Sequence, residues 1–266
     1  MNFKPQAYFL DLDGTTLDLP KTSSMISSEN VDTIRSFNDN NIPVIISTGR
    51  GNSEFVMKLA KSFNSPYVIC QNGGLIVDKQ NNLLQINKIK QERVADIVKL
   101  LIEHKLCFIL NSSQVIYGPT LKIKMIRPWA KKMQLKTYDD LPKLEESTKI
   151  LTFGVSKKKI VELRDLLASK FIDISQHIVS RGYSIEITDI NATKGKADAF
   201  VCKLLNVDPK YAAHVGDSGN DTTSKEYVGA FICMKNGLKN VRVQATIVGP
   251  HYKKAGVAKV LRDTQK

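Results

Sequence analysis

Short, nearly unbroken apolar runs recur along the chain, and each stops abruptly in small or polar residues. Ala7-Tyr8-Phe9-Leu10 runs into Asp11-Leu12-Asp13-Gly14-Thr15. Ile42-Pro43-Val44-Ile45-Ile46 runs into Ser47-Thr48-Gly49-Arg50, and Tyr67-Val68-Ile69-Cys70 into Gln71-Asn72-Gly73-Gly74. Far downstream, Ala212-Ala213-His214-Val215 runs into Gly216-Asp217-Ser218-Gly219-Asn220-Asp221, and further apolar runs follow at 230–234 and 245–248. Runs that are apolar at successive positions predict strands covered on both faces, as in a parallel sheet. Between them Val31, Ile34 and Phe37 recur at helical spacing. So do Phe55, Val56, Leu59, Ala60 and Phe63, and later Ala197, Phe200, Val201, Leu204 and Leu205. Strands alternating with helices predict an α/β fold around a parallel sheet. Ligands of such sheets bind beyond the carboxyl ends of the strands, where all these polar endings fall.

The rhythm changes between residues 83 and 189. A helix carrying Val94, Ile97, Val98 and Leu101 precedes short strands at 106–110 and 114–117. A strand at 149–155 precedes a helix with Ile160, Leu163, Leu166 and Leu167. Strands at 176–180 and 183–187 then flank Arg181-Gly182, a tight hairpin turn. The pattern predicts an antiparallel sheet with helices on one face, inserted as an α+β unit over 83–189 into a core made of 1–82 and 190–266.

Composition narrows the class. With 266 residues, 42% hydrophobic and 24% charged, the chain can bury a large core with room for a second domain. No secretory-signal pattern opens it and no apolar run spans a bilayer, so a cytoplasmic protein without membrane contact is expected. Cys70, Cys107, Cys202 and Cys233 are widely separated, which predicts reduced, mostly buried thiols. The net charge of +13 raises the question of nucleic acid, but it comes from 31 Lys against 8 Arg spread through most of the chain. Tight phosphate or base recognition leans on arginine forks, so solvated lysines are the better account and nucleic acid is not the expected partner. Nothing in the sequence fixes the oligomeric state; a monomer or weak dimer is expected.

The chemistry concentrates at the strand ends. Asp11 and Asp13, two positions apart in an extended chain, point the same way and repel each other unless a cation or a shared proton intervenes. Asp217 and Asp221 follow another core strand in a loop with Gly216 and Gly219. Together they make an oxygen-rich site suited to Mg²⁺, with no His/Cys cluster that would favour zinc. The four histidines, His104, His177, His214 and His251, are expected to be structural or solvated. Ser47, Thr48 and the backbone through Gly49 are candidates to bind phosphoryl oxygens at the start of the following helix. Lys194, beside Gly195 at the return from the insert, can add a positive charge.

These residues, Asp11-Leu12-Asp13-Gly14-Thr15, Ser47-Thr48-Gly49-Arg50, Asn191-x-x-Lys194-Gly195 and Gly216-Asp217-Ser218-Gly219-Asn220-Asp221, resemble in order and spacing the four signature elements of the haloacid-dehalogenase-like superfamily. Together with Asn72-Gly73-Gly74, the large insert before the lysine and Ala255-Gly256-Val257-Ala258 near the C-terminus, they are similar to its Cof-type sugar-phosphatase-like family. Ser218 stands where many relatives have glycine. The resemblance implies a Rossmann-like core with an inserted cap, and a Mg²⁺-dependent phosphatase working through an aspartyl-phosphate. It implies Asp11 as nucleophile and metal ligand, and Asp13 as acid/base with its backbone carbonyl on the metal. Asp217 would be a further ligand and Thr48, Gly49 and Lys194 phosphate contacts, with Ser47, Asn220 and Asp221 in support.

The implied substrate is a small phosphorylated metabolite: a sugar phosphate, a nucleotide or a relative of these. The insert would lie over the crevice and choose the leaving group. Its stretch Lys122, Lys124, Arg127, Lys131, Lys132 and Lys136 surrounds Trp129 without an acidic residue. It reads as a solvated basic face, with recognition of extra phosphates or of a polyanion as the other reading. A phosphosugar mutase or phosphotransferase, and a nucleic-acid-binding module, remain as alternatives for the whole chain.

Overall fold

In the structure, a computed structural model describing residues 4–266, the chain divides into two compact units, Met1–Ile86 with Thr193–Lys266, and Asn87–Ala192. The first opens with strand β1 (Ala7–Leu10), helix α1 (Ser28–Asp39), β2 (Val44–Ser47), α2 (Glu54–Phe63), β3 (Tyr67–Cys70), β4 (Leu75–Asp78) and β5 (Leu83–Ile86). The second comprises α3 (Gln91–Glu103), β6 (Cys107–Leu110), β7 (Val115–Tyr117), α4 (Thr120–Ile126), β8 (Gln134–Lys136), β9 (Ile150–Phe153), α5 (Lys157–Lys170), β10 (Ile174–Val179) and β11 (Ser184–Asp189). The chain then returns to the first through α6 (Lys194–Leu204), β12 (Ala212–Gly216), β13 (Ala230–Cys233), α7 (Lys239–Arg242), β14 (Ile247–Val248) and α8 (Gly256–Thr264).

The first unit is built on one sheet of order β14-β13-β12-β1-β2-β3-β4-β5, parallel from β14 to β3. Its strands are apolar at successive positions because both faces are covered. Tyr8 and Leu10 belong to a core shared with Ile34 of α1, Val56 and Phe63 of α2, and Leu261 of α8. Ala7 and Phe9 face a second core with Ala197, Val201 and Cys202 of α6. Strand β1 is central: the chain proceeds outward to β2 and β3 on one side and fills the other with β12 and β13. That reversal of order opens a crevice at the carboxyl ends of the strands. Strands β4 and β5 form an antiparallel hairpin added to the edge. Pairing of Leu83–Ile86 with β4 moves the division to 86/87 and 192/193, a few residues beyond the 82/83 and 189/190 expected from periodicity.

The second unit carries a sheet of order β10-β11-β9-β6-β7-β8. Helices α3 and α5 bury Val94, Ile97, Leu101, Ile160 and Leu167 against one face, beside Phe108, Ile150 and Ile187. The expected hairpin is present, with Val179 opposite Ser184 across Ser180–Gly182 and Tyr183. Two features depart from the expectation of a purely antiparallel sheet with helices on one face. Strands β7 and β8 are parallel, joined by α4, because a parallel pair needs a crossover rather than a tight turn. Helix α4 also covers the opposite face, where Ile123 meets Cys107 and Ile116. The basic stretch therefore begins on this short helix, whose Lys122 donates to the Gly154 carbonyl, and Trp129 beyond it is 89% exposed. All four cysteines are free and buried. Among the described residues, no helix is long and apolar enough to cross a membrane.

Candidate active site

The site is assembled where the parallel strands of the first unit end. The Asp11 N–H donates to the Val215 carbonyl at 2.9 Å, extending the β1–β12 ladder by one bond. The Asp11 carbonyl accepts the Thr16 hydroxyl at 2.5 Å, and the N–H groups of Thr16 and Leu17 turn back onto the Leu12 carbonyl. The turn hinges on Gly14 at φ +82°, a left-handed value natural to glycine. A Cβ there would lie 2.3 Å from Asp217 Oδ2, so side-chain-free backbone is what lets the two strand-end loops meet. Asp11 is left buried, whereas the Asp13 side chain reaches solvent.

Behind Asp11 lies Lys194, the first residue of α6, fully buried. Its Nζ donates to Asp11 Oδ1 at 2.6 Å and to Asp221 Oδ1 at 2.7 Å. Burial works against the ammonium, but the two carboxylates outweigh it and hold its pKa above the usual lysine range. Burial likewise opposes ionised Asp221, and Lys194 and His214 overturn that effect to hold it well below the usual carboxylate range. Asp221 Oδ1 also meets His214 Nε2 at 3.0 Å. Its Oδ2 accepts the Asp217 and Ser218 N–H groups and the Ser218 hydroxyl at 3.0, 2.9 and 3.1 Å. A Cβ on Gly216 would stand 2.2 Å from Asp221 Cγ, so glycine is required for this inward fold of the loop.

Asp11, Asp217 and Asp221 each offer an oxygen within 4.8 Å of the others. Burial, opposed by Lys194, pushes Asp11 up to about 6. Burial, reinforced by the charges of Asp11 and Asp221, pushes Asp217 up to about 7. Carboxylates this reluctant to ionise together are completed by a counter-charge. Asp221 already serves five donors, which leaves Asp11 and Asp217 as the carboxylates with capacity for a cation. An all-oxygen donor set fits a hard divalent ion. His214 offers it nothing, since both ring nitrogens face carboxylates.

Other strand ends close the site. Thr48, after β2, is buried, and its hydroxyl accepts the Arg50 N–H at 3.2 Å. Helix α2 begins only at Glu54, so Thr48 and Gly49 lie in a loop and not at a helix N-terminus, contrary to expectation. The Ser47 hydroxyl turns into the core, donating to Asp198 Oδ1 at 3.2 Å, which removes it from any ligand. Asn220 braces the loop, donating to Asn72 Oδ1 at 2.8 Å and accepting the Ser218 hydroxyl at 2.6 Å. Asn72, in turn, sits at φ +56° after β3.

Several contributors carried no assignment in the sequence. Arg50 forks onto Asp13, Nε to Oδ2 at 2.7 Å and Nη2 to Oδ1 at 2.6 Å. Asn236, beyond β13, donates to Asp217 Oδ2 at 3.0 Å and to the Gly14 carbonyl at 2.8 Å. Its position after an apolar run was the available signal. Asp198 lies four residues past Lys194, hence on the same face of α6.

The chain is similar over nearly its whole length to proteins named as phosphatases. Phosphatase YwpJ of Bacillus subtilis is 25% identical, covering 95% of this chain and 97% of its own. The phosphoglycolate phosphatase of Archaeoglobus fulgidus is 24% identical, with 98% and 97% covered. A phosphatase of the haloalkanoate (HAD) superfamily from Bacteroides thetaiotaomicron superposes with a TM-score of 0.81 at 17% identity, covering 98% of this chain and 95% of that one. A profile of the haloacid dehalogenase-like hydrolases matches residues 8–261. With its signature residues gathered at the carboxyl ends of the parallel strands and that match spanning almost all of the sequence, the chain belongs to the haloacid dehalogenase-like hydrolase family.

Proposed function

We propose that the protein is a Mg²⁺-dependent phosphatase of small phosphomonoesters that works through an aspartyl-phosphate on Asp11. The observation that carries this reading is Asp11 itself, a buried carboxylate held by the Lys194 ammonium at 2.6 Å, beside Asp217 and two positions from the solvent-facing Asp13.

Asp11 Oδ attacks phosphorus, the bond to the ester oxygen breaks, and Asp13 delivers a proton to the departing alkoxide. Asp13 then takes a proton from the water that attacks the acyl phosphate, and the phosphorus–Asp11 bond breaks to release inorganic phosphate. Lys194, Thr48 and the backbone at Gly49 bind the phosphoryl oxygens. Asp11, Asp217 and the Asp13 carbonyl would hold Mg²⁺, which neutralises the repulsion between carboxylate and phosphate. Asp221 keeps Lys194 in place, while Asn220 and, from within the core, Ser47 support the loops. The unit over residues 87–192 is assigned the selection of the leaving group, and its substrates are phosphorylated metabolites.

The deciding measurement is phosphate release across phosphorylated sugars, polyols, nucleotides, flavin and pyridoxal phosphates, and phosphoglycolate. A 5-amino-6-(5-phospho-D-ribitylamino)uracil arm is added because a 27% identical Bacillus subtilis relative, YwtE, bears that substrate in its name. Release that requires Mg²⁺ and disappears in Asp11→Asn is the expected result. Absence of Mg²⁺-dependent release from every compound would overturn the reading.

A further inference from the structure

Beneath the catalytic groups runs a buried chain of alternating charge whose far members, His214 and Asp198, take no part in the proposed reaction. His214 lies on β12, fully buried, with its ring 6.2 Å from Phe231. Its Nδ1 stands 2.7 Å from Asp198 Oδ2 and its Nε2 3.0 Å from Asp221 Oδ1. Asp198 is also fully buried, and its remaining capacity is filled by the hydroxyls of Ser224 at 2.8 Å and Ser47 at 3.2 Å. Asp221 passes the chain on to Lys194, and Lys194 to Asp11.

With a carboxylate oxygen at each ring nitrogen of His214, the form in which both nitrogens donate is the imidazolium. The two carboxylates outweigh the burial that favours the neutral ring and push its pKa up to about 9. The charge balance explains why a second cation belongs there. Without it, Asp11, Asp198, Asp217 and Asp221 would share the single ammonium of Lys194, and Asp221 would draw that ammonium away from Asp11. With it, Asp221 has a cation of its own.

We propose that His214, clamped between Asp198 and Asp221, is a positioning residue that leaves the Lys194 ammonium directed at Asp11 and at the phosphoryl group. Asp198 orients the imidazole and Ser47 and Ser224 orient Asp198, so the C-terminal end of β2, the face of α6 and the loop after β12 are set together. The kinetic consequence rests on the phosphatase reading; the imidazolium clamp does not.

The test uses the full chain with p-nitrophenyl phosphate and Mg²⁺, comparing wild type with His214→Gln and Asp198→Asn. Glutamine retains a donor for Asp221 but no charge; asparagine is nearly isosteric and removes the anion behind the ring, which keeps the test available if the first variant does not fold. Turnover number is expected to fall about 10–100-fold in folded variants, the scale on which groups behind a catalytic centre act. KM and the half-saturating Mg²⁺ concentration should move by no more than about threefold, the signature of a transition-state effect. The nitrogen NMR spectrum of the wild type should show both His214 ring nitrogens protonated at neutral pH, and this should be lost in Asp198→Asn. Wild-type turnover in the folded variants, or a neutral ring in the wild type, overturns the proposal. Should the wild type hydrolyse no ester at all, the phosphatase reading fails, and the NMR result still decides the clamp.

Discussion

Arg50 grips Asp13 at two points, Nε to Oδ2 at 2.7 Å and Nη2 to Oδ1 at 2.6 Å, linking the loop after β2 to the loop after β1. The guanidinium also lies over the Phe55 ring at 5.1 Å, which limits its freedom. Its hydrogen bonds to Asp13 are the main reason its pKa is raised. With side-chain exposures of 30% and 57%, the pair contributes no more than about 1 kcal/mol to stability. Its effect is to aim a carboxylate that is otherwise free in solvent. Arg50→Ala removes both hydrogen bonds and is therefore expected to lower turnover about tenfold, with an almost unchanged melting temperature. Arg50→Lys should not restore it, because an ammonium lacks the fork. Steady-state kinetics beside thermal melts check both outcomes.

Lys194 is the opposite case, a wholly buried cation between two carboxylates. Lys194→Met leaves Asp11 and Asp221 without that charge between them, and breaking a buried pair from one side costs about 3–5 kcal/mol. Urea unfolding of the metal-free variant should show a loss of that size together with loss of turnover. Part of the stability should return on adding Mg²⁺.

The carboxylates set a pH dependence with a definite sign. Asp11 and Asp217 have folded-state pKa values raised from 3.8 to about 6 and about 7, through burial first. The folded protein thus binds their protons more tightly than the unfolded chain does. Their contribution is complete below about pH 4 and is lost as the pH rises through 6 and 7. Asp221, held low, works the other way and loses its contribution as the pH falls below the ordinary carboxylate range. Metal-free melts should decline between about pH 4 and 7 by the first two groups, the interval between their ordinary and their folded-state values. Asp217→Asn should flatten the upper step and raise the metal-free melting temperature by about 2–4 °C, the shift expected from about 1 kcal/mol. Mg²⁺ affinity, followed by calorimetry, should weaken as protons compete below neutrality.

Asp18 fastens the active-site turn to the starts of α1 and α8. Its Oδ1 accepts the Ser27 N–H at 2.8 Å, at the start of α1, and its Oδ2 accepts the Ala255 N–H at 3.0 Å, ahead of α8. Asn30 repeats the link, donating to the Thr16 carbonyl and accepting from the Ala258 N–H. Asp18→Ala orphans two backbone donors and should cost about 3 kcal/mol in chemical denaturation, with KM little changed.

The core strands and their flanking helices are legible in the periodicity of the sequence, because runs buried on both faces leave a dense apolar signal. The β4–β5 hairpin is less so: Leu83, Leu84 and Ile86 are largely exposed on an edge, so no burial pattern marks them as belonging to the sheet. The β7–α4–β8 crossover is hidden for a similar reason. Strand β7 shows in the sequence at 114–117, but β8 is three residues long, and Leu121 and Met125 of α4 are exposed where an amphipathic helix would show a polar face.

At Asp11 and Asp13 the division between sequence and structure is sharpest. The sequence by itself determined which chemical groups stand at the strand ends, since apolar periodicity and turn residues are local properties. Only the tertiary structure decided that the two aspartates part company, one buried against Lys194 and the other gripped by Arg50. The same holds for Ser47, turned into the core, and for His214, a strand residue clamped between Asp198 and Asp221. These contacts join residues as far apart as 183 positions, and they exist because strand order places β12 and α6 beside β1. No local pattern encodes that adjacency.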